Sequence, residues 1–275
     1  MAFFNNANTN SSNNPVLKRM SNYNDLTSDS NATYKGIAMK TCYFLALIVL
    51  GVIAFFYMHN YFAHAGYTAF QISEDVYLYG NEMVIYVGLG IVTLIAGFVA
   101  AFAPKTVPVA GSIYSAGMGY TVTFISFTYA AQYKGIVVEA LFLTVLLIGV
   151  LLFLYSKGIV KVNSKFRTIL YSALMVSVIA SVIYFLLHLI IPNSGLVRAL
   201  TAIQYGPFGI VFAFLGVLIG AFLIIDDFES IKNTVEYGFS EKYEWTASYG
   251  LIISMIYLYL RILQLLARIA NNKNN

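Results

Sequence analysis

Charged residues make up only 10% of this 275-residue chain, against 59% hydrophobic residues, whereas soluble domains carry about 25% charge. With a mean hydropathy of +0.74, a water-soluble fold is excluded. The single cysteine, Cys42, excludes an internal disulfide and any cysteine metal cluster; it is expected to be a small apolar filler. The three histidines, His59, His64 and His188, form no HExxH. No GxSxG occurs, and no paired catalytic aspartates lie at matched depths, so neither an enzymatic activity nor a cofactor is expected. The last apolar run has no lysine, which excludes a retinal Schiff base. The alternating ten-residue strands of a membrane barrel are absent, as are the inverted repeats and paired broken helices of a coupled transporter. The start of the chain has no basic segment followed by a short apolar core, so the first long apolar run is expected to direct insertion.

What is present is a series of seven apolar runs, at 41–57, 84–103, 109–130, 135–155, 167–191, 202–225 and 246–269. Each is near the ~20 residues that cross ~30 Å of hydrocarbon. Backbone groups in lipid must bond internally, so the runs are predicted helices and the chain an all-α, polytopic protein of seven transmembrane helices. Three regions are expected: an Asn/Ser-rich, disordered tail over 1–40, a membrane domain over 41–270 and a short polar end over 271–275. Lysine and arginine set the orientation. Eleven lie in the tail and the even-numbered loops (Lys18, Arg19, Lys35, Lys40, Lys105, Lys157, Lys161, Lys165, Arg167, Lys232, Lys242), against four on the other side (Lys134, Arg198, Arg268, Lys273). The positive-inside rule puts the N-terminus in the cytoplasm and the C-terminus outside. The net charge of +4 is thus a topology signal, and no nucleic-acid partner is expected; the partner is the bilayer.

Intramembrane charge costs about 2.5–3.5 kcal/mol per residue on insertion scales, so function is sought first at Glu139, Asp226, Asp227 and Arg261. Small residues mark close helix packing. Gly111, Ser115 and Gly119 recur every four residues in the third run, and Gly216 and Gly220 form a GxxxG pair in the sixth. Continuing that face leads to Asp227, which should point at neighbouring helices; Asp226, turned about 100° away, should face the cytoplasmic interface. Gly238 reads as a helix C-cap and Ser240 as an N-cap, making the last two helices antiparallel neighbours. Counted from that turn, Asp227 and Arg261 differ in depth by about 15 Å, whereas Ser254 lies near the depth of Asp227. Glu139 and Arg261 both belong in the outer half, which leaves two readings: an ion pair between them, or Arg261 snorkelling while Glu139 sits at the interface. His188 is a third candidate for that group. The outer acids Glu74, Asp75 and Glu82 either concentrate cations or are simply solvated, the second being the expectation.

The segments NPVLKRM, YKGIVVEALFLTVLLIGVLLFLYSKGIVKVNSKFRTIL, AFLIIDDFESI and EKYEWTASYGLIISMIYLYLRILQLLARI, in that order on seven runs, resemble the transmembrane Bax inhibitor motif family, in its bacterial YccA-like branch. The resemblance implies six helices around a central last helix, in a plasma membrane. In some members it implies a proton-sensitive calcium leak controlled by two membrane aspartates, one on each of the last two helices. The first falls on Asp227. The second is replaced by Arg261 or by Ser254, depending on register, and Met118 stands where related bacterial sequences carry a glutamate. Gating and ion binding are thus expected of Asp227, Asp226 and Ser254, with calcium as the transported ion. Alternatively, the resemblance implies a non-conducting protein that modulates a membrane-bound AAA protease, with the tail as its handle.

Overall fold

The computed structural model describes residues 30–65, 67, 69–73, 76–160 and 162–273. The expected disorder of the tail, the NPVLKRM segment, Glu74 and Asp75 lie outside these residues, the tail from residue 30 onward excepted. The chain runs α1 (Tyr34–His64), a hairpin of β1 (Ala69–Ser73) and β2 (Val76–Tyr79), α2 (Gly80–Phe102), a 3-10 turn (Pro104–Thr106), α3 (Val107–Gln132), α4 (Ile136–Ser156), α5 (Ser164–Ile190), α6 (Gly195–Tyr205), α7 (Pro207–Glu236) and α8 (Lys242–Lys273). It is an all-α, multi-pass membrane protein. Among the described residues, six helices are long and apolar enough to cross a bilayer. The expected third crossing, α3, is also long, at 26 residues, but the Gly, Ser and Thr that fit it between its neighbours dilute its hydropathy.

Local chemistry sets the boundaries. Thr33 caps α1 by accepting from the Gly36 amide at 2.9 Å, so this helix starts inside the segment assigned to the tail. The expected sixth run, 202–225, is two helices. Pro207 has no amide hydrogen to continue α6, and Gly206 before it is extended, the conformation that a following proline favours; α7 then continues to Glu236. Its end has the expected glycine cap: Gly238 is left-handed at φ 65°, with Gly238 N–H bonded to Val235 and Phe239 N–H to Thr234, a Schellman arrangement. The β1–β2 hairpin pairs Ala69 with Tyr79 and Phe70 with Leu78; its alternating apolar residues escaped a reading tuned to long runs.

The last helix is central. It packs against α1, α3, α4 and α7, and the Tyr249 hydroxyl reaches the Gly97 carbonyl of α2 at 3.4 Å. By contrast, α5 is held through α7 and α6. One apolar core joins α4, α7 and α8 through Ala140, Ile224, Leu258 and Leu263, and a second joins α1, α3 and α8 through Phe44, Val107 and Ile252. The outward faces carry exposed Val49, Phe56, Val84, Phe98, Phe142 and Val176, a continuous apolar surface suited to lipid. Cys42 is exposed, so it is not the filler expected.

Candidate functional site

Both glycine stripes are close helix contacts. In α3, a side chain at Gly111 would meet the Phe44 ring at 3.1 Å, one at Gly119 would overlap the Ile48 carbonyl, and Gly51 of α1 faces Ala116 and Gly119 in return. In α7, Gly216 lies against the Arg261 stem, Gly220 against Leu258 and Tyr257, and Asp227 against Gly250. Each step along α7 is matched by an equal step back along α8, the register of an antiparallel pair.

Adjacent residues on a helix diverge by about 100°, so the two aspartates face different neighbours. Asp227 is half-buried between α7 and α8 and interacts with the Ser254 hydroxyl; its Oδ2 is buried with no hydrogen-bond partner. Asp226 is not at the interface as expected. It is 3% exposed, its Oδ1 accepts from Arg167 Nε at 2.5 Å and its Oδ2 from the Tyr171 hydroxyl at 2.8 Å, while Arg167 also reaches Ser230 Oγ at 3.3 Å. Arg167, read from sequence as a loop charge, sits in the first turn of α5, whose start is fixed by Asn163 accepting from the Phe166 amide at 2.7 Å. An arginine at the head of an apolar run, at the depth of an unexplained acid, was the signal for this pair.

The ion pair considered between Glu139 and Arg261 is not formed. Among the described residues no ion pair joins them: Glu139 is exposed in the first turn of α4, while Arg261 donates to Gln264 Oε1 at 3.1 Å and lies over the Tyr257 ring at 4.9 Å. Helix α8 thus satisfies its own arginine locally. His188 does not join them; it stacks on Tyr184.

Two further acids, Glu82 and Glu244, are among the most buried groups. Glu82, expected to be solvated, is 0% exposed. Its Oε1 lies 2.6 Å from His59 Nδ1 and its Oε2 accepts the Tyr79 amide at 2.9 Å, closing the start of α2 onto α1 beneath the hairpin. Replacing Glu82 by alanine should cost about 1–3 kcal/mol, since the part-buried Tyr79 amide and His59 imidazole lose their acceptor; thermal unfolding in detergent measures it. Glu244, at 2% exposed, accepts from Lys40 Nζ at 2.6 Å and from the Thr33 amide at 2.7 Å. A side chain at Gly36 would overlap its carboxyl. Next to it Glu241 accepts from Ser30 Oγ at 2.7 Å; that bond, and the Lys40 charge, hold the Glu241 carboxyl below its ordinary range.

A polytopic helical bundle with Glu82, Asp226, Asp227 and Glu244 set between helices, each against a different neighbour, is an integral membrane protein with internal polar contacts. The family model described as Bax inhibitor 1 like matches residues 14–271, and the chain belongs to that family. Neither a curated protein nor a solved structure matches it.

Proposed function

We propose that the protein is a pH-sensitive cation leak, with calcium as the ion and Asp227 as its gate. The observation that carries this reading is the orphan Oδ2 of Asp227 at the α7–α8 contact. A charged oxygen buried without a partner is costly, so an ionised Asp227 favours any arrangement that hydrates or ligates it. Separation of α7 from α8 is such an arrangement, and a hard cation takes oxygen ligands of the kind Asp227, Ser254 and nearby carbonyls supply. About one helical turn beyond the aspartates, Tyr155, Ser156, Gly158, Val160, Val162, Glu229 and Lys232 line a cavity of ≈ 500 Å³, which in this reading is the mouth of the path. The missing second aspartate leaves Asp227 as the gate, with Asp226 committed to Arg167. In this reading the N-terminus and the α7–α8 turn face the cytoplasm and the C-terminus lies outside a plasma membrane, an orientation supported by the excess of lysine and arginine on the first side. The reading includes no catalytic role and no cofactor.

Calcium entry into proteoliposomes tests it. Wild-type flux should be greater at pH 8 than at pH 6, and Asp227→Asn should abolish that difference. Folded protein with no flux above empty liposomes removes the leak reading. The second reading, a non-conducting modulator of a membrane-bound AAA protease, would then stand. It is favoured by the docking of residues 30–33 on the α7–α8 turn, which ties the tail to the central helix.

A further inference from the structure

Residues 30–33 lie extended along the turn between α7 and α8. Asn31 forms an antiparallel bridge with Ser240: the Ala32 amide donates to the Phe239 carbonyl at 2.7 Å and the Glu241 amide to the Ser30 carbonyl at 3.2 Å. The segment then turns into α1, and the contacts with α8 continue. Glu244 takes the Thr33 amide at 2.7 Å, the Thr33 hydroxyl at 3.2 Å and Lys40 Nζ at 2.6 Å. One turn further, Ser248 Oγ donates to the Ile37 carbonyl at 2.8 Å. Glu244 and Ser248 are both almost fully buried.

We propose that residues 30–40 are an autoinhibitory strap, which locks the start of α8 to α1 and thereby keeps Asp227 packed against Gly250 and Ser254. The coupling is geometric. Glu244, Ser248, Gly250 and Ser254 stand on one unbroken helix, Lys242–Lys273, with Glu244 and Ser254 about 15 Å apart along it, and the strap bonds both the α7–α8 turn, at Phe239 and Glu241, and the first turn of α8, at Glu244, so it holds the two helices together at the end nearest Asp227. The strap is built for release. Its two backbone bonds form a bridge that is isolated among the described residues, and an isolated pairing of this kind is marginal without its side-chain anchor. That anchor is a pair of carboxylates, Glu244, which takes the Thr33 amide and Lys40, and Glu241, which accepts from Ser30 Oγ. Any partner that engages the residues ahead of position 30 would pull on the same segment. The regulatory part of this proposal rests on the leak reading; the strap itself does not.

The experiment uses the full chain with Cys42→Ser, carrying Asn31→Cys and Ser240→Cys. Bridged antiparallel residues have Cα atoms about 4.5–5.5 Å apart, within disulfide range, so oxidation should cross-link the pair nearly quantitatively within one chain. In a second arm, Glu244→Gln should speed amide exchange over residues 30–40 and 242–250 about tenfold or more, the loss expected for hydrogen bonds to a charged group. Ser126→Ala, which removes the bond from Ser126 to Tyr259 deeper in the bundle, should leave exchange over 30–40 unchanged and so separates strap release from general loosening. In proteoliposomes the cross-link should lower calcium flux several-fold, and reduction should restore it. Failure to cross-link, or unchanged exchange in Glu244→Gln, overturns the strap. A conducting wild type whose flux ignores the cross-link overturns its regulatory role. Absence of flux in every sample, with cross-linking and exchange as expected, overturns the leak reading and leaves the strap standing.

Discussion

Arg167→Ala is expected to destabilise the protein by about 3–5 kcal/mol, the usual result of removing one partner from a buried ion pair. Asp226 is 3% exposed and receives two side-chain bonds, from Arg167 and Tyr171. Without the guanidinium, a carboxylate is left inside the bundle with one hydroxyl for company. Helix α5 has few other ties: it packs on α7 and α6, and most of its side chains are exposed. The loss should therefore appear as detachment of α5, visible as early proteolysis near its start as well as a lower melting temperature in detergent. Arg167→Lys should recover only part of the loss, because an ammonium cannot present the planar guanidinium fork that serves Asp226 and Ser230 together. The double variant Arg167→Met with Asp226→Leu should return close to wild type, since the uncompensated charge is gone. Wild-type melting of the alanine variant would mean that this pair does not hold α5 in place.

Gly119→Val should cost about 3 kcal/mol, the upper end of overpacking penalties. At most overpacked sites a flexible side chain gives way; here the obstacle is backbone. The first carbon added at Gly119 would overlap the Ile48 carbonyl, and Gly51 opposite already has the Gly119 Cα 2.9 Å from where its own side chain would begin. The two helices must separate, which also loosens Phe44 and Phe55, both 0% exposed, from their places beside α3. Gly90→Ala on α2 is the matched control. Nothing lies within 4 Å of its missing side chain, and alanine is favoured over glycine in a helix by about 1 kcal/mol, so this variant should melt at or above the wild-type temperature. Equal melting of the two variants would contradict the close approach of α1 and α3.

The glycine stripes were legible because they are periodic. Gly111, Ser115 and Gly119, and then Gly216 and Gly220, repeat at the spacing that keeps one face of a helix small, and such a face has few uses besides close contact. Depth was legible for a similar reason: a fixed rise per residue, counted from the turn at Gly238, puts Ser254 opposite Asp227, and the two interact. Neither argument names a neighbour when the helices are not joined by a short turn. Asp226 and Arg167 are 59 residues apart and Lys40 and Glu244 are 204 apart, with nothing in either local pattern to join them. Arg261 is the converse case, since its partner is no distant acid but Gln264 one turn away on the same helix.

Hydropathy, charge distribution and helical period are properties of the chain taken a segment at a time. They were enough for the class, most helix positions, the small-residue faces and the family resemblance, because in a bilayer each crossing must satisfy its own backbone. The pairing of Asp226 with Arg167, the burial of Glu82 and Glu244, the splitting of α6 from α7 and the bridge between Asn31 and Ser240 depend on which helix lies beside which. Only the assembled bundle decides that, because a buried acid and a solvated acid are the same letter until packing supplies or withholds a partner.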